Sequence, residues 1–307
     1  MVSDKKMTAM SKIMLFVSTI IWGSSFFILK NTLDEVPVYF LLTVRFLGAA
    51  VLMSLICFKK LKKLNWKYIW TGLITGVFLG LAYIFQTIGL MNTTPGTNAF
   101  LTTVYCILVP FMCWAVMKKK PDIFNIASAV ICIGGIGLVC LEGGGMSFSF
   151  MGEGFTLICG VFFGAQMVAI EVWGKDVDII LHTIVQLFGA FFVCLIFFLC
   201  FEKMPESISV QAWISIGYVS VFATAVTFMF MSIGIKHTSA SYSSLVLCLE
   251  AVFGVFFSIV FYHERLSLQV ALGFVIIFIG VIINETKLSF LFKNKTDDKI
   301  NDKVSTI

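Results

Sequence analysis

Ten apolar runs follow one another along the chain, each punctuated by charges, proline or glycine, and each long enough to cross a bilayer as a helix. They predict helices over 13–29, 37–58, 68–90, 96–117, 123–141, 154–173, 179–200, 212–235, 240–262 and 268–285. The first run is longer than the apolar part of a secretory signal. No A-x-A site follows it before Lys30, so it is expected to remain as a span. The expected fold class is an all-α integral membrane protein with ten transmembrane helices.

Composition agrees with that pattern. Of 307 residues, 59% are hydrophobic and 13% charged, with a mean hydropathy of +0.99. Soluble domains carry about 25% charge. A soluble domain, a disordered chain, a disulfide scaffold and a cytosolic enzyme are therefore poor fits.

Cations give the orientation, because lysine and arginine accumulate in cytoplasmic loops. With a cytoplasmic N-terminus, the inside segments hold Lys5, Lys6, Lys12, Lys59, Lys60, Lys62, Lys63, Lys67, Lys118, Lys119, Lys120, Lys175, Lys236, Lys287, Lys293, Lys295, Lys299 and Lys303. The outside segments hold only Lys30, Lys203 and Arg265, and Arg45 falls within a span. Both termini are thus expected in the cytoplasm of a bacterial-type inner (cell) membrane. These basic runs lie beside span ends and form no folded basic face, so no nucleic-acid partner is expected. The nine cysteines all fall in predicted spans with no C-x-x-C pair, which predicts neither a disulfide nor a metal site. No cofactor is expected. The polar tail after Phe292 reads as disordered.

The two halves resemble each other. At an offset of 141, Thr43 to Ala49 fall on Ile184 to Ala190, matching Gly48 with Gly189. At an offset of 145, Gly72 meets Gly217, Phe85 meets Phe230, Gly89 meets Gly234, Phe111 meets Phe256 and Gly135 meets Gly280. The offset changes in loops, where insertions are tolerated. The organisation expected is a cytoplasmic segment 1–12, a five-helix repeat 13–141, an extracytoplasmic linker 142–153, a second repeat 154–286 and a cytoplasmic tail 287–307. Five spans is an odd number, so the second repeat must enter the bilayer inverted. Inverted repeats supply two similar-energy states and characterise secondary transporters, with the substrate near the midplane where the repeats meet. Glycine ridges at Gly72, Gly76 and Gly80, and at Gly160 and Gly164, suit close helix packing.

Ionisable groups at membrane depth mark sites by default. Arg45 lies eight residues beyond Pro37, and Glu250 lies about ten residues into the ninth helix. Glu250 is too short to reach the interface, so it must be protonated, paired or set in a water-filled cavity. Asn98, Thr102 and Tyr105 share one helix face, as do Ser243 and Glu250. The repeat offsets map Asn98 onto Ser243, Tyr105 onto Glu250 and Arg45 onto Gln186, with His182 one turn before Gln186. The substrate-binding residues expected are Trp22, Ser25, Arg45, Tyr83, Gln86, Asn98, Tyr105, Gln166, Gln186, Ser243 and Glu250. Ser24 joins them as a plausible lining residue. Arg45 is expected to bind an anionic group, the aromatics to stack, and Glu250 to meet a substrate amine or carry a coupling proton. The fifth and tenth helices lack polar stripes and are expected at the periphery, where a weak homodimer would form if the protein is not a monomer.

Several motifs carry a resemblance to the drug/metabolite transporter superfamily, EamA type. Trp22-Gly23-Ser24-Ser25-Phe26 is similar to that family's W-G-s-s-F, and Arg45-Phe46 to its R-F. Gln86-Thr87-Ile88-Gly89-Leu90 is similar to a Q-T-x-G-L of one branch, followed by Thr93-Thr94, Ala99 to Thr102 and Val109-Pro110. Leu249-Glu250-Ala251-Val252-Phe253 resembles l-E-p/a-V-F, Glu264-Arg265-Leu266 resembles G-E-x-L, and Gly273 and Gly280 match the final-helix glycines. His263 replaces the usual glycine before Glu264, and Ala251 stands where many relatives have proline. The resemblance implies alternating-access export of amino acids, metabolites or toxic compounds, with import or exchange in some members.

The partners expected are therefore a small-molecule substrate, the lipid bilayer and protons as the coupling ion. Other classes fit less well. No H-E-x-x-H, G-x-S-x-G or G-x-x-x-x-G-K-[ST] occurs, so a membrane enzyme and an ATP-driven pump are disfavoured, and no catalytic residue is expected. A channel would favour rings of equivalent groups, whereas Arg45/Gln186 and Tyr105/Glu250 are unlike pairs.

Overall fold

The computed structural model describes residues 2–118, 120–140, 149–174 and 177–286. The tail 287–307, most of the linker 142–153, Lys119 and Lys175 lie outside the described residues. Within them the chain is all helical: α1 (Val2–Thr32), α2 (Val38–Ile56), α3 (Phe58–Leu61), α4 (Trp66–Met91), α5 (Pro95–Thr102), α6 (Tyr105–Met117), α7 (Ile123–Cys140), α8 (Phe155–Trp173), α9 (Ile179–Phe201), α10 (Val210–Ser220), α11 (Thr227–His237), α12 (Ala240–Cys248), α13 (Glu250–Phe261) and α14 (Leu268–Thr286). Eight stretches are long and apolar enough to cross a membrane: 7–32, 38–56, 66–91, 95–117, 150–173, 179–201, 210–237 and 240–261. Two further apolar helices, Ile123–Leu138 and Leu268–Gly280, are shorter.

The helices depart most from the sequence expectation in four places. The first helix begins at Val2 rather than 13, because no proline or glycine interrupts the polar turns before its apolar core. The expected helix 96–117 is two helices broken at Thr103 and Val104, and the expected helix 240–262 is two broken at Leu249. Both breaks keep their backbone bonded through shortened contacts: Thr103 N donates to Phe100 O, and Leu249 N to Val246 O, each at 3.2 Å. The expected helix 212–235 carries a wide π-type turn over Val221–Val226.

In a bilayer every backbone N–H needs a protein partner, and helix N-termini leave several free. Asn65, Thr94, Asp178, Ser209 and Ser239 cap α4, α5, α9, α10 and α12 through their side chains. Pro37 precedes α2 and has no side-chain acceptor. Glu202, at the end of α9, takes that role, accepting from Tyr39 N at 3.1 Å and Phe40 N at 2.8 Å. Glu264 likewise accepts from Gly96 N at 3.0 Å at the start of α5, and Glu171 from Ala240 N at 2.9 Å at the start of α12. These carboxylates tie distant segments together while answering the positive helix ends.

The glycine ridge of α4 packs on α9. A Cβ added at Gly76 would overlap the Gln186 carbonyl oxygen, and one at Gly72 would lie 2.7 Å from Val185 Cβ. The ridge of α8 faces α6, where Gly164 lies against Met112 and Val109. Helices α7 and α14 pack on each other through Gly135 and Gly280 and meet the rest mainly at α5, α6 and α12.

Candidate functional site

Between α1, α4, α6, α8, α11, α12 and α13 lies a narrow central cavity, with room for water over about 30 Å³ in this conformation. Its walls are Trp22, Ser25, Phe26, Leu29, Tyr83, Gln86, Thr87, Leu90, Tyr105, Phe163, Gln166, Met167, Phe228, Met231, Leu247 and Glu250. Seven of the residues expected from sequence are therefore together here: Trp22, Ser25, Tyr83, Gln86, Tyr105, Gln166 and Glu250.

The aromatic side chains form a connected belt. Ring centroids are 5.3 Å apart for Trp22 and Phe228, 6.0 Å for Phe228 and Tyr83, 5.2 Å for Tyr83 and Phe163, and 6.2 Å for Phe163 and Tyr105. The Tyr105 hydroxyl donates to Glu250 Oε1 at 3.4 Å. Each of these two residues opens the second segment of a broken helix, Tyr105 that of α6 and Glu250 that of α13. Glu250 is 5% exposed, and no lysine, arginine or histidine among the described residues pairs with it. Gln166 is fully buried with neither amide atom hydrogen-bonded, so it offers the cavity an NH₂ donor group and a carbonyl acceptor. Gln86 Nε2 donates to Thr102 Oγ1 at 3.2 Å.

Four expected residues lie elsewhere. Arg45 is 0% exposed and stands behind Tyr83, its guanidinium carbon 4.3 Å from that ring's centroid. Its Nε donates to Thr224 Oγ1 at 2.6 Å, and its Nη2 to Ala223 O at 3.0 Å and to the Tyr83 hydroxyl at 3.2 Å. The acceptor lies in the wide turn of Val221–Val226, and the same Ala223 carbonyl also accepts from Trp22 Nε1 at 2.9 Å. Asn98 Nδ2 ties α5 to α8 through Thr156 Oγ1 at 2.7 Å and to Gln86 O at 3.2 Å. Ser243 meets Thr238 Oγ1 at 3.1 Å. Gln186 is buried between α9 and α4 with both amide atoms unpartnered, and His182 Nε2 lies 3.5 Å from Thr75 Oγ1. Ser24, the further lining residue considered, bonds the Tyr218 hydroxyl at 2.7 Å instead.

The apolar part of the lining was not singled out from sequence, yet a signal for it existed. Adding 141 to Trp22, Ser25 and Phe26 gives Phe163, Gln166 and Met167, and adding 145 to Tyr83, Gln86 and Tyr105 gives Phe228, Met231 and Glu250. All twelve line the cavity.

A bundle of apolar helices around a polar and aromatic cavity defines a multi-pass membrane protein. Comparison with known proteins gives its family: the chain belongs to the EamA-like transporter family, which matches residues 10–141 and again residues 150–286. It is 29% identical to an uncharacterized transporter of Archaeoglobus fulgidus, over 88% of this chain and 83% of that protein. It is 25% identical to the uncharacterized transporter YoaV of Bacillus subtilis, over 90% and 97%. A shorter match, 30% identical over 41% of this chain and 49% of the relative, is to the bidirectional sugar transporter SWEET1 of Arabidopsis thaliana. One solved crystal structure has the same fold at a TM-score of 0.68 and 14% identity, covering 90% of this chain and 96% of that one.

Proposed function

We propose that the protein is a secondary-active transporter. It moves small polar or amphipathic metabolites across the cell membrane by alternating access, as an exporter coupled to protons or to a counter-substrate. In this reading ten helices span the bilayer, the eight long stretches together with α7 and α14, as two inverted five-helix repeats with both termini cytoplasmic. Trp22, Ser25, Tyr83, Gln86, Tyr105, Gln166 and Glu250 contact substrate, and Glu250 is the group that carries a coupling proton.

The observation that carries the reading is the pairing of cavity walls at the repeat offsets: Trp22 with Phe163, Ser25 with Gln166, Tyr83 with Phe228 and Tyr105 with Glu250. Local structure supports the same duplication. The caps Thr94 and Ser239, the breaks at Val104 and Leu249, and the left-handed residues Lys118 (φ 60°) and His263 (φ 55°) are each 145 residues apart. Packing is reciprocal as well. Gly23 of α1 lies on Phe253 and Gly254 of α13, and Gly164 of α8 lies on Val109 and Met112 of α6. Two like halves meeting at a midplane cavity are the recurrent design of alternating access.

A carrier that works in both directions on another small metabolite is the second reading, favoured by the partial likeness to a bidirectional sugar transporter. The deciding experiment is counterflow in proteoliposomes over pooled metabolites, with and without a pH gradient. Solute exchange driven by the gradient supports coupled export. Exchange indifferent to the gradient favours the second reading. A unitary current above carrier turnover overturns both.

A further inference from the structure

The cavity holds a carboxylate and no cationic side chain. Glu250 is the acid of the lining, and no lysine, arginine or histidine of the described residues belongs to it. Neither nearby cation belongs to the lining. Arg45 donates from Nε and Nη2 to Thr224, Ala223 and Tyr83 behind the Tyr83 ring, and its Nη1, buried and without a partner, is also outside the cavity wall. The ammonium of Lys30 donates to Leu90 O at 2.7 Å, Met91 O at 2.9 Å and Thr93 O at 3.0 Å. A substrate carboxylate entering here would meet Glu250 and find no countercharge.

A substrate cation finds a complementary surface. Trp22, Phe228, Phe163 and Tyr105 line the cavity beside Glu250, and aromatic rings attract cations most strongly where water is excluded. Trp22 Nε1 is tied to the Ala223 carbonyl, which anchors the indole at the wall. The unpartnered amide of Gln166 supplies an acceptor for an N–H and a donor for a hydroxyl or carbonyl. Apolar walls at Leu29, Met167 and Met231 suit a hydrocarbon body.

The geometry points to a site for monovalent organic amines that carry a ring and lack a carboxylate, with the ammonium at Glu250 and the ring within the aromatic belt. This narrows the transport reading above and rests on it for the step across the membrane, whereas binding can be read separately. Amino acids, although they share the amine, are disfavoured because their carboxylate finds no countercharge in the lining.

The test uses the full chain and three probes that share one ring: tyramine (amine), tyrosine (zwitterion) and 4-hydroxyphenylpropionate (acid). Binding to purified protein and counterflow in proteoliposomes are both measured. Tyramine is expected to bind saturably, with tyrosine and the acid at least about tenfold weaker, since charges at close range in a partly dry site interact strongly. Glu250→Gln is expected to weaken tyramine at least about tenfold at an unchanged melting temperature. Should that variant fail to fold, the ranking of probes on the native chain still decides. Tyrosine or the acid binding as well as tyramine overturns the inference, as does a folded Glu250→Gln that binds tyramine normally. If pooled neutral or acidic solutes exchange while tyramine neither binds nor exchanges, the amine assignment falls and transport stands. If tyramine binds at Glu250 but nothing exchanges, the amine site stands and transport falls.

Discussion

Tyr105 and Glu250, 145 residues apart in sequence, meet in the protein interior with the tyrosine hydroxyl 3.4 Å from the glutamate Oε1. Among the described residues this is the one hydrogen bond seen for the Glu250 side chain. Tyr105→Phe removes it while keeping the ring. A bond this long is worth about 0.5 kcal/mol, the low end for a hydrogen bond, so apparent substrate affinity should fall roughly twofold. Half-saturation in counterflow, beside a melting curve, measures it; an unchanged affinity would mean the hydroxyl plays no part in holding the acid.

The same pair shows what the sequence reveals. Its offset comes from matching glycines and polar residues across the halves, and it brought Tyr105 and Glu250 into correspondence without coordinates. Arg45 was harder. Its position fixes depth and helix face, but the acceptors that turn it away from the cavity belong to a wide turn at Val221–Val226, whose own residues include no proline or glycine to announce it. The breaks at Val104 and Leu249 were hidden for a related reason. Neither break is marked by proline or glycine, the polar residues on both sides keep helical spacing, and the shortened backbone bonds leave no trace in the sequence.

Arg45→Ala should act on stability before specificity. It removes bonds to Thr224, Ala223 and Tyr83 and leaves a void behind the Tyr83 ring. The cost is on the order of 3 kcal/mol, visible as a fall of several degrees in thermal unfolding in detergent. In the protein that remains folded, the ratio of tyramine to tyrosine binding should match the unmodified chain. A selective loss of carboxylate-bearing ligands would instead make Arg45 an anion site.

Two glycines on long helices should respond oppositely to alanine. At Gly76 the new methyl meets backbone of α9, the Gln186 carbonyl and the Gly189 Cα, neither of which can rotate away. Overpacking of this kind costs about 1–3 kcal/mol. At Gly217 in α10 nothing lies within 4 Å of the new Cβ, and alanine there should stabilise by about 0.5–1 kcal/mol through lower chain entropy. Paired melting curves test both.

His263 ends α13 with φ at 55°, in the region glycine enters freely and other L-residues enter at a cost of about 1–2 kcal/mol. This is the position where the family resemblance leads one to expect glycine. His263→Gly should raise the melting temperature, and Lys118→Gly should do the same at the end of α6, where φ is 60°. A fall in either case would show that the side chain earns its place by another contact.

Outside the spans, Glu35 accepts from the Ser209 hydroxyl at 2.7 Å and from the Ser209 backbone N–H, clasping the start of α10. The hydroxyl bond first, and the N–H second, hold its carboxyl below the ordinary value of 4.5. A carboxyl lowered in the folded state stabilises above its unfolded pKa and loses that contribution as pH falls through the folded one. The clasp should therefore be intact at neutral pH and release only below about pH 4.5. Ser209→Ala should move the Glu35 titration upward, as followed by NMR of a labelled carboxyl; no movement would place the cause elsewhere.

The Ala223 carbonyl, shared by Trp22 and Arg45, lies within the wide turn that joins α10 to α11. Two donors, from α1 and α2, converge on that one oxygen, while Glu35 grips the start of α10 and Phe228 of α11 lies against Trp22. Straightening the turn would therefore take a shared acceptor from Trp22 and Arg45 together, disturbing the cavity wall and the ring behind it at one stroke.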